Sequence, residues 1–212
     1  MPDTDRSTCL PTRDTLWDRL ARVVAWSILI SLALEGLALT ARALGPGAPG
    51  WVQIAAESIQ KLSWSVMVCA ALAAAQNVKQ RLSATMGLVG FCVAPLAVIV
   101  ARALHKGTLQ ALGQDAGAPA PSVLVPAGIK ALEYLLFGLW AARLSGARVA
   151  PLKHFLAAGA AIGLVGAGAL ALWKRPDAPT LFVDTINELF FPVGCAFVLH
   201  LSARAARLGR PA

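Results

Sequence analysis

The sequence predicts an all-α integral membrane protein in which six transmembrane helices form three helical hairpins. Of its 212 residues, 57% are hydrophobic and only 14% are charged, and the mean hydropathy is +0.64. A soluble domain of this composition has too few polar residues to cover its surface. The apolar residues fall into six runs. Each run is long enough, at about 1.5 Å per residue, to cross a hydrocarbon core of about 30 Å.

The chain divides into an N-terminal tail at 1–16, a transmembrane domain at 17–204 and a basic C-terminal tail at 205–212. Proline and glycine at 45–50 cannot continue a helix and separate the first two spans. The longest connector, 105–122, is rich in Ala, Gly and Pro and is expected to form a loop. The helices are predicted at about 20–43, 51–76, 84–104, 123–144, 152–173 and 179–203.

The positions of Lys and Arg predict that both termini lie in the cytoplasm. Of the 19 basic residues, 12 fall on the side of the termini, five fall on the opposite side, and Lys61 and Lys130 lie within helices. This pattern is typical of a protein of a bacterial-type cytoplasmic (inner) membrane. The basic residues form no continuous patch, so we expect the lipid bilayer, and not nucleic acid, as a partner.

Three helices that run inward from the predicted outer face begin with related polar segments. The segment 57–61 (acid, hydroxyl, Ile, carboxamide, charge) matches 184–188 position by position, and 129–133 occupies the same place in helix four. We interpret the hairpins as a parallel pseudo-threefold repeat around an axis along the membrane normal. The alternative is that Ala- and Leu-rich membrane helices resemble one another by composition. The repeat makes three residues equivalent, Lys61, Glu133 and Glu188.

Several polar residues lie within the predicted helices and converge on the outer half of the bundle. They are Glu35, Glu57, Lys61, Lys130, Glu133, Asp184, Asn187 and Glu188. A charge near the bilayer centre costs about 2.5–3.5 kcal/mol, so these side chains are not expected to face lipid. We therefore predict that they meet inside the bundle and form a binding or gating site.

Two arrangements of these charges are compatible with the sequence. Local pairs, Glu57 with Lys61 and Lys130 with Glu133, would form a structural ion-pair network. Five acids and two lysines nevertheless leave a formal charge of −3. Helix six has no basic residue before His200, so Glu35, Asp184 and Glu188 are expected to remain unpaired. Proton uptake, a bound cation or a wet cavity would then be needed.

No cofactor is identified by the sequence, although a bound monovalent cation or a proton fits the acidic cluster. Asn187 with the hydroxyls of Ser58 and Thr185 would complete an oxygen shell, to which Gln60 and Tyr134 add further groups. Pro192 removes a backbone N–H and frees the carbonyl of Glu188 for the same cluster. Two histidines, His154 and His200, do not make a haem site, and no metal-ligand spacing occurs.

Helix five contains Gly159 and Gly163 at the spacing that permits close helix approach. Packing within the chain is one interpretation of this pair, and a homo-oligomer contact through this glycine-rich helix is the other.

The predicted function is a proton or cation channel, or a secondary transporter. One alternative is a non-transport membrane subunit, an assembly or interaction protein whose charges only fix helix packing. A membrane-embedded enzyme acting on lipid or quinone has less support, because no catalytic motif or catalytic residue is identified.

Overall fold

The computed structural model describes residues 16–43, 50–76, 82–115, 123–146, 149–174 and 178–208. These residues form six α-helices, and all six are long and apolar enough to cross a membrane. The prediction of an all-α chain with six helices that could span a membrane is therefore confirmed. The helices are α1 (Leu16–Ala43), α2 (Trp51–Gln76), α3 (Leu82–Ala111), α4 (Leu124–Leu144), α5 (Leu152–Lys174) and α6 (Ala178–Leu208).

Three helices are longer than the hydropathy pattern indicates. Helix α1 begins at Leu16, and α6 continues to Leu208 inside the segment predicted as a tail. Helix α3 continues to Ala111, so the first part of the predicted loop 105–122 is helical. Helix α3 continues through Pro95 and Gly107 without a break. Gly113 follows the helix with a φ of 75°. Residues 1–15, 116–122 and 209–212 of the predicted tails and loop lie outside the described residues.

The helices form a closed ring. Each helix packs against the next one along the chain, and α1 packs against α6. Helix α6 also contacts α2 and α4 across the interior. The starts of α2, α4 and α6 and the ends of α1, α3 and α5 therefore lie together at one end of the bundle, here called the cavity end. The pseudo-threefold repeat and the cytoplasmic placement of both termini stay predictions.

The half of the bundle opposite the cavity end is filled by apolar side chains. Val68 and Leu72 of α2, Phe137 of α4 and Leu199 of α6 are almost fully buried there. Large apolar side chains such as Leu172 lie exposed on the outside of the ring. A surface of this kind suits contact with lipid. The charged residues that the sequence predicted as site residues of α2, α4 and α6 lie in the other half.

Glycines bring two pairs of helices unusually close. A Cβ atom on Gly90 of α3 would overlap the backbone of Tyr134, and one on Gly138 of α4 would overlap the backbone of Met86. Between α5 and α6, a Cβ atom on Gly163 would lie 2.7 Å from the carbonyl oxygen of Glu188. Only glycine allows backbones to approach this closely.

The glycine pair of helix five packs within the chain. A Cβ atom on Gly159 would lie 2.7 Å from the carbonyl oxygen of Pro192, and Gly163 contacts the same helix one turn earlier. A homo-oligomer contact through α5 stays a prediction. Such a contact would use the exposed face of α5, which includes Val165 and Gly168.

We expect Gly163→Val to destabilise the bundle and Gly168→Val to leave it unchanged. A side chain at 163 would force α5 and α6 apart, and overpacking of this kind costs about 1–3 kcal/mol. A side chain at 168 meets no atom within 4 Å. Thermal unfolding of both variants in detergent measures the difference. Equal melting temperatures would contradict the described packing.

Candidate functional site

A half-open cavity of about 320 Å³ lies at the cavity end, between α2, α3, α4, α5 and α6. Six of the eight predicted site residues line it, namely Glu57, Lys61, Lys130, Asp184, Asn187 and Glu188. The other two, Glu35 and Glu133, lie next to it and form ion pairs with lining lysines. The structure therefore brings the predicted cluster together.

The first group of charges, here called the Lys61 triad, consists of Lys61, Glu35 and Glu57. The Lys61 ammonium donates a hydrogen bond to Glu35 Oε2 of α1 and lies 4.0 Å from Glu57 Oε2. Glu57 also accepts a hydrogen bond of 3.1 Å from Gln53 Nε2. The predicted pair within α2 exists, but the closer partner of Lys61 is on another helix.

The second group, here called the Lys130 triad, consists of Lys130, Glu133 and Glu188. The Lys130 ammonium donates to Glu133 Oε2 at 2.8 Å and to Glu188 Oε2 of α6. It also lies 5.8 Å from the ring centre of Trp64 and 5.9 Å from that of Tyr134. Both distances are within the range of cation–π attraction. The Lys130 side chain is thus held by two carboxylates and two aromatic rings from three helices.

The expectation that Glu35, Asp184 and Glu188 are unpaired is wrong. Glu35 pairs with Lys61, Glu188 pairs with Lys130, and Asp184 accepts a hydrogen bond of 2.8 Å from Lys174 of α5. Spacing along one helix identifies only the partners of that helix. These three partners come from neighbouring helices, which the spacing does not reveal.

The Lys130 triad keeps an excess of acid. It contains two carboxylates and one ammonium, which gives a formal charge of −1 when all groups are ionised. Glu133 Oε1 is buried and has no hydrogen-bond donor among the described residues, and the same holds for Glu35 Oε1 in the Lys61 triad. A buried charge without a donor is costly. One proton on the Lys130 triad would remove both its excess charge and this cost.

Gly166 of α5 provides the space for the most buried of these carboxylates. The Glu133 side chain is only 2% exposed, and a Cβ atom on Gly166 would overlap its carboxylate. Glu133 and Gly166 also border a separate apolar groove of about 680 Å³ between α4 and α5. Glu133 therefore lies between this groove and the charged cavity.

Four lining residues whose side chains carry an N–H group or a charge lie outside the predicted site and its oxygen shell, namely Trp64, Arg102, His105 and Lys174. The sequence indicates Arg102 and Lys174 as topology signals. It places His105 at the start of the predicted loop, whose first part, to Ala111, is helical. The available signal was the spacing of Arg102 and His105, which places them on one face of α3 once the helix continues past residue 104.

The predicted oxygen shell does not assemble around the cavity. Gln60 and Asn187 line it, whereas Ser58, Thr185 and Tyr134 are not among its lining residues. The carbonyl oxygen of Glu188 lies against Gly163 of α5 instead of joining the polar cluster. Within the described ranges, no group of three or more His, Cys, Asp or Glu side chains is arranged for a metal ion.

We expect Lys130→Met to destabilise the protein much more than Lys174→Met. Removal of Lys130 leaves two carboxylates in the interior without their cation, and breaking a buried pair costs about 3–5 kcal/mol. The Lys174–Asp184 pair is partly exposed, and such pairs contribute about 0–1 kcal/mol. Thermal unfolding at neutral pH compares the two variants. Equal losses would show that the Lys130 triad is not effectively buried.

Comparison with protein-family models, with curated proteins and with solved structures gave no match. The function of the chain is therefore inferred from the geometry and charge of the cavity.

Proposed function

We propose that the protein is a proton-coupled secondary transporter in which the Lys130 triad binds a coupling proton. One observation carries the proposal: this triad places two carboxylates on a single ammonium beside a half-open charged cavity. A proton delivered through the cavity neutralises the acid excess of the triad. Intramembrane carboxylates of this kind are typical of proton relays in transporters.

The arrangement of the triads favours a proton over a metal cation as the coupling ion. In each triad the lysine ammonium already occupies the position between the carboxylates that a metal ion would take. Neither Ser58 nor Thr185 lines the cavity to supply further oxygen ligands. A proton needs only one carboxylate oxygen and no coordination shell.

The position of the cavity at one end of the bundle favours a transporter over an open channel. The cavity occupies the cavity end, whereas the opposite half of the bundle is filled by Val68, Leu72, Phe137 and Leu199. An ion pathway through that half requires the helices to change their packing. Alternating access, in which one set of helices moves against another around a central site, provides such a change.

The coupling step follows from the Lys130 triad. Protonation of Glu188 removes the charge that attracts Lys130, so α4 and α6 lose an interaction that joins them. Deprotonation restores that interaction. The protonation state of one carboxyl thus biases the packing of two helices, which is the requirement for a two-state switch.

A non-transport subunit is the second candidate function. It is supported by the presence of a lysine partner for each of the five acids, as in a structural ion-pair network. The two functions differ in their response to isosteric Glu→Gln changes. Such changes abolish proton transfer at a triad, whereas a structural network responds through stability.

We expect Glu133→Gln and Glu188→Gln to lower proton flux at least about ten-fold, because an amide cannot take up and release a proton at neutral pH. The protein is reconstituted in liposomes that contain a pH-sensitive dye. A potential, negative inside, is imposed in a medium that contains succinate and inorganic phosphate. Wild-type protein should acidify the lumen well above the rate of protein-free liposomes.

The control is Asp115→Asn, because Asp115 is an exposed carboxylate just after α3 that belongs to neither triad and is not among the residues lining the cavity. This variant should keep the wild-type rate. Wild-type flux at the level of protein-free liposomes would refute transport. Full proton flux in both Gln variants would place the proton site elsewhere. Lower stability of the Gln variants, together with no proton flux in the wild type, would favour the structural role.

A further inference from the structure

We infer that Arg102 and His105 form a subsite for the anionic group of a small organic ligand that binds in the charged cavity. The inference rests on the proposed function in one respect, since it identifies this ligand as the transported substrate. The binding itself requires only the residues of the cavity. The two residues lie on one face of α3, and both line the cavity.

Arg102 differs from the other cations of the cavity. Lys61, Lys130 and Lys174 each pair with at least one carboxylate. Arg102 Nη1 is buried and has no hydrogen-bond acceptor in the described part of the chain. A guanidinium cannot lose its charge by deprotonation, so a buried guanidinium nitrogen without an acceptor is unfavourable. An anion that enters the cavity would provide the missing acceptor.

His105 adds a second nitrogen to the same position. It lies one turn after Arg102, and its Nδ1 atom is buried without a partner among the residues that the structure describes. The arginine fork matches the two oxygens of a carboxylate or a phosphate, and an imidazole can donate a further hydrogen bond. The shared chemistry is an oxyanion with at least two oxygens to accept these donors.

The remaining lining residues and the cavity volume indicate the chemistry and size of the rest of the ligand. Val98, Leu170 and Phe191 provide apolar surface beside the charged groups. The volume of about 320 Å³ lies at the lower end of the range of about 300–1,000 Å³ that is common for ligand pockets. A small molecule with an apolar part and one or more carboxylate or phosphate groups fits this lining.

The same cavity thus contains sites of opposite sign. The Lys130 triad has more carboxylate than ammonium groups and accepts a proton under the proposed function, and Arg102 Nη1 has no hydrogen-bond acceptor among the described residues. Entry of an anion alone would add negative charge next to the triads. Entry of an anion with a proton keeps the charge of the cavity constant. We therefore assign the substrate class as a small organic anion that moves together with protons.

Anion binding to the purified protein in detergent tests the inference without any flux. Succinate and inorganic phosphate are titrated at constant ionic strength against chloride, and the unfolding temperature is recorded. We expect saturable stabilisation of the wild type by at least one of them, which also distinguishes a carboxylate from a phosphate ligand. Arg102→Gln should weaken this binding at least about ten-fold, because it removes the charge and the fork.

Two further variants keep the result interpretable. Arg102→Lys retains the charge without the planar fork and should bind with intermediate affinity. Arg204→Gln removes an exposed arginine at the opposite end of the bundle and should bind as the wild type does. Absence of saturable stabilisation by either anion would overturn the inference. Equal affinities of Arg102→Gln and Arg204→Gln for the anion would also overturn the inference.

The inference and the proposed function fail separately. Proton flux that depends on Glu188, together with anion binding that is insensitive to Arg102, would reject the subsite and retain the proton site. Anion binding that requires Arg102, in a protein without proton flux, would support the subsite and reject the transporter. In that case the cavity is a receptor for a small anion.

Discussion

Two buried ammonium groups determine how this helix bundle is assembled. Lys61 joins α2 to α1 through Glu35, and Lys130 joins α4 to α6 through Glu188. A carboxylate left without its cation in a membrane interior costs several kcal/mol, so each pair fixes the rotation of two helices about their axes. The opposite half of the bundle is mostly apolar, with a smaller directional constraint from Gln76 Nε2, which donates to Ser145 Oγ and to the carbonyl oxygen of Leu199. Helix rotation is thus set by these polar contacts together with the close glycine packing.

Glycine makes the Lys130 triad geometrically possible. Gly163 lets α5 lie directly against the backbone at Glu188, and Gly166 leaves the space that the Glu133 carboxylate occupies. Larger residues at these positions would move α5 outward and open the Lys130 triad to lipid. The small residues of α5 therefore serve two purposes, close helix packing and the enclosure of a charged group. The isolated Gly159–Gly163 spacing indicates only the first of these.

The sequence predicted the parts of the structure that depend on single helices. Long apolar runs locate the six spans, and the cost of a charge in lipid requires residues such as Glu35, Lys130 and Glu188 to face inward. It did not predict which charges pair, because Lys130 with Glu188 and Lys174 with Asp184 meet only after the helices are arranged. Nor did it identify Arg102, since an arginine near the end of an apolar run resembles an ordinary topology signal.

The formal charge of the whole cavity is the reason for proposing that protons and an anion bind at one site. Its groups are five acids (Glu35, Glu57, Glu133, Asp184 and Glu188), four permanent cations (Lys61, Arg102, Lys130 and Lys174) and His105. With His105 neutral, the formal charge is −1. An anion at Arg102 would make it −2, and each proton on a triad would offset one charge. Each ligand therefore favours binding of the other, and linkage requires the effect to be reciprocal. That mutual dependence is the thermodynamic basis of the proposed coupled transport. It follows from a guanidinium whose Nη1 has no described acceptor and which lies beside the Lys130 triad, where carboxylates outnumber ammonium groups.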